Sequence, residues 1–520
     1  MRDFRSLGES LRSLEMAREE LWRKQARSAR TKLRWRALMV KHCFHILPGE
    51  TVLELGGGSG MWSEQLNSVL RSENPLTVAV FTPELLAKAR ERRLPNTSFV
   101  RVESILDDLP HGEYDYLVGF AALAREHMKE ELAAVYRLLK PGGQILFFEA
   151  NSWNYWLKLS PGFRRMQRAG GGFPVSRPKM LHACSHLGYT HIELAPYDLV
   201  PASLPDGIIT RVQAKTVLFE HAPVLRGLCW SAYLWARKPD NGASRRPTPN
   251  LAEHAALFGR ISVVVPCHNE ASNIAELVER LVQLYGPYIR EIIIVNDNSS
   301  DGTAEVAEKS MALESRIRLI NRGKPNGVGR ALRDGYKAAT GAYILSMDCD
   351  FVEILPELRA LFDVIAAGHD GAIGSRFSHE STLVNYPFSK LLFNRVFHAV
   401  VKMTLLRTVR DVTNNLKLYR AEILKELDIE SAHFSANLET GLKPMLAGYD
   451  IKEVPISWIN RTIGMGNSNF DARSVGMDYL RALFQIWRAW RFPKKHVIPV
   501  APGPAAPAVP GTSRSRAAGK

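Results

Sequence analysis

Two carboxylates separated by one residue, Asp348 and Asp350, directly follow an apolar run at residues 342–346 that is typical of a buried strand. In an extended segment the intervening side chain points away from both carboxylates, so the two acids share one face. Hard cations such as Mg²⁺ choose oxygen ligands and also take oxygens from a substrate diphosphate. The pair therefore predicts a divalent-metal site at a strand end, although the same spacing also occurs in solvated loops.

Other polar side chains follow apolar runs earlier in the same half of the chain. Pro266 lies at the end of one apolar run, and Glu270 follows shortly after it. Asp297 follows the end of the next apolar run. Arg330 lies in a glycine-spaced segment ahead of the two acids. Ligands bind at the carboxyl edge of open α/β sheets, where the ends of parallel strands meet. The sequence therefore predicts that these side chains gather at one sheet edge.

This ordered series of motifs resembles the family 2 glycosyltransferases with a GT-A fold, closest to the dolichol-phosphate mannose synthase-like branch, over about residues 260–470. The resemblance implies a nucleotide-diphospho-sugar donor, with Asp348 and Asp350 holding Mg²⁺ or Mn²⁺ on the diphosphate oxygens. The residues that it places at the donor are Pro266, Glu270, Asp297, Arg330, Asp348 and Arg376.

Two arginines and one further acid complete the predicted site. Arg376 and Arg461 are candidate phosphate contacts, because guanidinium groups pair bidentately with phosphate. A polyprenyl-phosphate acceptor is already ionised and needs no base, whereas a glycan hydroxyl would need a carboxylate such as Asp411. Near relatives often have Ser-Gly-Phe where this chain has residues 414–416, a loop expected to face the acceptor, so both acceptors stay open. The predicted catalytic set is Asp348, Asp350, Asp411 and Arg461.

The first half of the chain carries a different glycine motif. A short strand at residues 51–55 runs into a loop with a glycine at every second position, and a helical pattern follows. Glycines let the backbone turn tightly and approach a ligand closely. The spacing resembles the first motif of the S-adenosylmethionine-dependent methyltransferases with a Rossmann-like fold, a resemblance that covers roughly residues 45–235. The cofactor contacts that it implies are Glu54, Gly56, Gly58, Gly60 and Glu103.

One departure from that family concerns the cofactor ribose. The second strand normally ends in an acid that holds the ribose hydroxyls, and Val80 stands at that position here. Loss of one charged hydrogen-bond partner costs about 1.5–3 kcal/mol. Two interpretations stay open. The domain is an active methyltransferase that uses S-adenosylmethionine, or it is a degenerate, non-catalytic docking domain beside a glycosyltransferase.

The whole chain has 520 residues, which is too many for one ordinary core. Apolar strands alternate with helical patterns in both halves, which predicts an α/β fold in two tandem domains. The two resemblances imply that the first domain is Rossmann-like and the second has a GT-A fold. The predicted parts are a helical extension (1–45), a methyltransferase-like domain (46–237), a linker (238–258), a glycosyltransferase domain (259–495) and a disordered Pro/Ala-rich tail (496–520).

The net charge of +15 fits nucleic acid, an anionic membrane surface or phosphorylated substrates. No nucleic-acid motif is present, so nucleic acid is not expected as a partner. The 5 cysteines form no CxxC pair, and no apolar run is long enough to span a membrane. Residues 383–407 and 480–495 mix apolar with basic residues, which suits either a membrane interface or a buried helix with a basic rim. The expected location is cytoplasmic, peripherally on the inner face of a membrane.

Overall fold

The computed structural model describes residues 2–492 except 25, 104–107, 121, 124–126, 155–158, 160–175, 201–203, 205–206, 210–211, 213–217, 241, 243–247 and 460–471. Its contacts divide the chain into two compact units. The first comprises Met1–Pro249, Phe377–Arg395 and Ile456–Gly466, and the second comprises Asn250–Arg376, Val396–Pro455 and Asn467–Lys520. The predicted tail at 496–520 lies outside the described residues.

The first unit begins with two helices where the sequence predicts one helical extension, and it continues as an α/β sheet. The helices are α1 (Arg2–Lys24), α2 (Ala26–Phe44), α3 (Met61–Val69), α4 (Pro83–Glu91), α5 (Met128–Leu138) and α6 (Arg177–His186). The strands are β1 (Val52–Leu55), β2 (Leu76–Val80), β3 (Thr97–Arg101), β4 (Tyr114–Phe120), β5 (Leu139–Ala150), β6 (Thr190–Tyr197) and β7 (Ser231–Arg237).

The order of strands in this sheet is β3-β2-β1-β4-β5-β7-β6. Strands β1 to β5 pair in parallel, and β7 runs antiparallel to both β5 and β6. Strand β1 is buried along its whole length, and its alternate side chains enter two different cores. Leu53 and Leu55 pack with Leu117, whereas Val52 packs with Val78. The sheet is therefore covered on both faces, as the uniformly apolar strands predict.

The second unit contains another seven-stranded sheet. Its strands are β8 (Ile261–Cys267), β9 (Ile289–Asn296), β10 (Ile317–Asn321), β11 (Tyr343–Ser346), β12 (Gly371–Ser375), β14 (Lys417–Arg420) and β15 (Ile451–Pro455). Its helices are α7 (Ile274–Tyr285), α8 (Thr303–Leu313), α9 (Val328–Ala338), α10 (Arg359–Ala366), α11 (Phe388–Leu405), α12 (Ala421–Lys425), α13 (Ala436–Leu446) and α14 (Ala472–Arg491). The first residues of α11, up to Arg395, belong to the first unit.

The order of strands in the second sheet is β10-β9-β8-β11-β14-β12-β15, and β14 runs antiparallel to both of its neighbours. Short 3₁₀ segments at Ala255–Leu257, Gly286–Tyr288 and Leu355–Leu358 connect its elements. Helix α7 shows why the covering helices form, because its buried residues Ile274, Leu277, Val278 and Leu281 recur at helical spacing. The α/β class predicted from sequence is confirmed in both units.

Two short strands form a separate parallel pair within the first unit. They are β13 (Leu383–Val384) and β16 (Trp458–Ile459). Val384 is buried in the same core cluster as Val52, and Ile459 packs against that cluster. Residues from the second half of the sequence therefore complete the first unit, beyond the simple division at 238–258 that the sequence predicts. Among the described residues, no helix has the length and apolar character needed to cross a membrane.

Candidate active sites of the two units

The paired acids of the second unit follow the end of β11. The Asp348 side chain is half-buried, and its Oδ1 accepts a hydrogen bond of 2.7 Å from Asn415 Nδ2. Burial, and then the charge of Asp350, raises the pKa of Asp348 to about 7. A bound cation would offset both effects, because its positive charge favours the ionised form of the acid. The residues present therefore fit the divalent metal that the sequence predicts.

A chain of buried hydrogen bonds orients the amide that bonds to the Asp348 side chain. The Tyr336 hydroxyl donates to Ser346 Oγ at 2.9 Å, and Ser346 Oγ donates to Asn415 Oδ1 at 2.8 Å. The amide of Asn415 is thereby oriented with its NH₂ toward Asp348. This positioning role was missed from sequence, where residues 414–416 were expected to face the acceptor. That expectation is corrected, because all three side chains are buried and Asn414 bonds to the Gly374 carbonyl at 2.7 Å.

Asp297 lies directly after β9 and is buried. Its Oδ2 accepts a hydrogen bond of 2.6 Å from the Gly327 amide, while Arg322 pairs with its Oδ1. Its own amide donates to the Cys267 carbonyl at 2.8 Å. This acid therefore ties the end of β8 to the start of α9. Arg322 was not among the predicted residues, and no motif in the sequence pointed to it.

The other predicted donor residues lie on neighbouring elements of the same sheet edge. Pro266 is half-buried near the end of β8, and the Glu270 amide donates to Thr303 Oγ1 at 2.9 Å. Arg330 lies in the first turn of α9 and donates to the Asn326 carbonyl at 2.7 Å. Their roles at the nucleotide stay predictions. The predicted phosphate contact Arg461 lies outside the described residues.

Arg376 and Asp411 form a buried bidentate ion pair. Arg376 Nε donates to Asp411 Oδ2 at 2.7 Å, and Arg376 Nη2 donates to Oδ1 at 2.9 Å. Burial alone would raise the pKa of Asp411, but the charge and hydrogen bonds of Arg376 outweigh it and lower that pKa. Asp411 is fully buried and ionised beside its partner. In the structure the two predicted residues therefore bond to each other, and the catalytic role predicted for each of them stays a prediction.

The glycine loop of the first unit follows β1 as predicted. Gly56, Gly58 and Gly60 all adopt positive φ angles, of 70°, 57° and 77°. Burial raises the pKa of Glu54, the acid ahead of the loop, to about 7. Glu103 lies beyond β3, is exposed, and pairs with Arg101. Each implied cofactor residue thus lies at or near the carboxyl edge of the sheet.

That edge is in contact with helix α1. The Glu15 carboxylate accepts hydrogen bonds from the amides of Gly58 at 3.0 Å and Thr82 at 2.8 Å. The Arg18 guanidinium donates to the carbonyls of Gly56 and Phe120. The backbone groups at the glycine loop and at the end of β2, where the methyltransferase resemblance places S-adenosylmethionine, are therefore already bonded to side chains of α1. In this arrangement the residues present do not fit the cofactor.

Comparison with known families agrees with these two sheets. The model of the ubiE/COQ5 methyltransferase family matches residues 26–160, and that of glycosyl transferase family 2 matches residues 262–428. Residues 26–160 are therefore recognised as a methyltransferase-type domain, and residues 262–428 as a family 2 glycosyltransferase domain. Both recognitions made from the sequence are confirmed.

The curated relatives match the second unit's half of the chain. The chain is 28% identical over 239 residues to the polyprenol monophosphomannose synthase of Mycolicibacterium smegmatis, covering 44% of this chain and 85% of that protein. It is 27% identical over 231 residues to the dolichol-phosphate mannosyltransferase of Pyrococcus furiosus, covering 44% of this chain and 64% of that protein.

Solved structures resemble each half at lower identity. Glucosyl-3-phosphoglycerate synthase from Mycobacterium tuberculosis is 18% identical with a TM-score of 0.37, over 46% of this chain and 85% of that one. Phosphoethanolamine N-methyltransferase 2 from Haemonchus contortus, solved with S-adenosyl-L-methionine, is 17% identical with a TM-score of 0.28, over 37% of this chain and 50% of that one. Likeness at these values carries no conclusion about substrates.

Proposed function

We propose that the second unit is a metal-dependent, inverting glycosyltransferase that moves a hexose from a nucleotide-diphospho-sugar to a polyprenyl phosphate. The observation that carries this proposal is the half-buried Asp348 beside Asp350, directly after β11, with its pKa raised to about 7. Two neighbouring carboxylates at a strand end are suited to bind a divalent cation together with a diphosphate. The relatives named for polyprenol and dolichol phosphate and for mannose support a mannosyl donor and a lipid-phosphate acceptor.

The mechanism follows from the position of these groups at one sheet edge. Pro266, Glu270 and Asp297 would frame the nucleotide. Asp348 and Asp350 would hold Mg²⁺ or Mn²⁺, which when bound neutralises charge on the departing diphosphate. The acceptor oxygen attacks the anomeric carbon from the face opposite the diphosphate. The new C–O bond forms as the bond to the diphosphate breaks, so the configuration inverts.

The state of Asp411 favours a phosphate over a hydroxyl acceptor. A hydroxyl must lose a proton to a base within hydrogen-bond reach, about 2.6–3.2 Å. Asp411 has no exposed surface, its pKa is lowered, and both carboxylate oxygens bond to Arg376. It is therefore poorly suited to collect a proton. A phosphate acceptor needs no such base, since it is already an anion.

Exposed side chains on α11 and α14 support a membrane-surface location for this reaction. Both helices combine exposed apolar residues with exposed cations, and such surfaces bind at the boundary between lipid headgroups and acyl chains. The apolar members are Val396, Met403, Leu480, Phe484 and Trp490, and the cations are Lys402, Arg481, Arg488 and Arg491, with exposed Arg407 directly after the end of α11. We therefore place the protein peripherally on the cytoplasmic face of a membrane.

The test measures hexose transfer by the full chain for each combination of donor and acceptor. Nucleotide-activated mannose, glucose and galactose are each offered with a polyprenyl phosphate, a polyprenol and a soluble glycan. We expect a product only with the polyprenyl phosphate, and mannose as the preferred hexose. Transfer to the glycan with none to the polyprenyl phosphate would overturn the acceptor assignment.

For the first unit we propose S-adenosylmethionine as the cofactor of its methyltransferase-family domain, which would make the chain bifunctional. The glycine loop, Glu54 and Glu103 support this cofactor. Val80 and the contacts of α1 oppose binding of S-adenosylmethionine in the arrangement described. The competing proposal is a non-catalytic docking domain. An experiment that removes the contacts of α1 distinguishes the two proposals.

A further inference from the structure

Helix α1 runs along the part of the sheet edge that the methyltransferase resemblance assigns to the cofactor. At its first described turns, a Cβ on Gly8 would lie 3.2 Å from the Glu103 carbonyl, and Arg12 Nη2 lies 4.0 Å from Glu103 Oε1. Leu11 and Leu14 are buried in the core beside Leu55 and Phe81. The helix therefore passes Glu103, one of the implied cofactor contacts, and is anchored in the core of the domain.

Further along α1, the Glu15 carboxylate lies at the end of β2. Its carboxylate accepts from the Gly58 amide at 3.0 Å, the Phe81 amide at 3.1 Å and the Thr82 amide at 2.8 Å. Methyltransferases of this fold place a carboxylate at the end of β2, and Val80 cannot supply one. Here the carboxylate comes from the helix, is buried, and uses its oxygens on the backbone rather than on a ribose.

The next turn places Arg18 over the glycine loop. Its guanidinium donates to the carbonyls of Gly56 and Phe120, and it lies 5.1 Å from the ring centroid of Trp22. A Cβ on Gly56 would be 3.2 Å from Arg18 Nη1, so the loop and the guanidinium are in contact. Burial lowers the pKa of Arg18, and the neighbouring acids Glu15, Glu54, Glu19 and Glu149 oppose that shift. This acidic surrounding is suited to a cation, and the chain itself provides one.

We propose that α1 is a built-in occupant of the S-adenosylmethionine cleft, so that helix and cofactor compete and the methyltransferase unit is closed while α1 is in place. The inference rests on the cofactor proposed above for the first unit. Competition lowers the apparent affinity by the fraction of molecules in which α1 has left the cleft. Weak binding by the intact chain then reflects occupancy by the helix as well as the valine at position 80.

The test compares three full-length proteins by isothermal titration with S-adenosylmethionine. The variant Glu15→Ala/Arg18→Ala removes the two side chains that bond to the cleft. The matched control Glu9→Ala/Arg23→Ala removes the same residue types from exposed positions of the same helix. Circular dichroism and thermal melting confirm that each protein is folded. We expect the cleft variant to bind at least about tenfold more tightly than the wild type, and the control to match the wild type.

The other outcomes overturn the proposal in distinguishable ways. Equal affinity in all three proteins shows that α1 does not compete, and leaves the cofactor proposal intact. Weaker binding by Glu15→Ala/Arg18→Ala shows that α1 holds the cofactor instead of excluding it. If none of the three proteins releases heat, the proposal that the first unit binds S-adenosylmethionine is wrong, and the docking-domain alternative remains.

A second readout follows the helix directly. We expect saturating S-adenosylhomocysteine to speed amide hydrogen exchange across residues 9–20 of the cleft variant, because the bound nucleoside displaces the helix. Binding that leaves this exchange unchanged or slower would contradict displacement.

Discussion

At the scale of single residues, the position of Asp348 depends on side chains that never reach a substrate. Asn415 is turned by Ser346 so that its amide nitrogen bonds to Asp348. Tyr336 in turn bonds to Ser346. Partners of this kind fix the orientation of a metal ligand and tune its affinity. Asn415 is therefore a positioning residue for the proposed metal.

The variant Asn415→Ala removes the hydrogen bond of 2.7 Å that the Asn415 amide donates to Asp348. We expect its affinity for Mn²⁺ to fall by about 10–100-fold, while kcat at saturating metal changes much less. Metal titration of transferase activity measures both quantities. Tyr336→Phe should have a smaller effect in the same direction, because it removes a hydroxyl two hydrogen bonds further from Asp348. Equal metal dependence in Asn415→Ala and the wild type would show that Asp348 needs no such support.

At the scale of elements, the close approach of α9 to the sheet requires small residues. A Cβ on Gly335 would lie 2.4 Å from Val264 Cγ1 and 3.1 Å from Val295 Cγ2. These valines belong to β8 and β9, the strands whose ends carry Pro266 and Asp297. The glycine spacing seen in the sequence therefore serves packing at this position.

Gly335→Ala should push α9 away from both strands and destabilise the second unit by about 1–3 kcal/mol, because overpacking forces side chains out of their favoured positions. Urea unfolding followed by tryptophan fluorescence measures the loss. Gly323→Ala is a matched control, since a Cβ there meets nothing within 4 Å. Equal stability of the two variants would mean that α9 has room to shift without cost.

The alternation of apolar strands and helices was enough to predict the elements that carry the site, because central strands such as β1, β8 and β11 are buried on both faces. The positions of Asp348, Asp297 and the glycine loop at strand ends followed from the same pattern. The pairing of Arg376 with Asp411 did not, since the two are 35 residues apart and either side chain also suits a phosphate or a proton. Glu15 at the Thr82 amide, 67 residues away, likewise depends on tertiary packing that no local pattern encodes.

At the scale of the whole molecule, both units contain buried ionisable groups, some paired with an opposite charge and some with a shifted pKa. In the second unit, Asp411 is matched by Arg376. In the first unit, burial raises the pKa of Glu54 to about 7 and that of Glu149 to about 8, against a usual value of 4.5. The folded first unit therefore holds protons that the unfolded chain has released at the same pH.

Because the folded state binds the extra protons, the free energy of unfolding of the first unit falls as the pH rises from about 4.5 to about 8. We expect a loss of roughly 3 kcal/mol from Glu54 and roughly 5 kcal/mol from Glu149, at about 1.36 kcal/mol per pKa unit. Urea unfolding at several pH values measures this slope. The variant Glu54→Gln/Glu149→Gln should flatten it, and an unchanged slope would show that neither group titrates in the folded chain as described.

The most direct test of the account is transfer of labelled mannose from its nucleotide-diphosphate to a polyprenyl phosphate by the full chain. We compare the wild type with Asp350→Ala and with Asp428→Ala, an acid exposed in the same unit. We expect Asp350→Ala to lose about 100-fold or more of the rate, the control to match the wild type, and EDTA to abolish transfer until Mn²⁺ is restored. Equal turnover by Asp350→Ala, or full activity in EDTA, would contradict the metal-dependent mechanism.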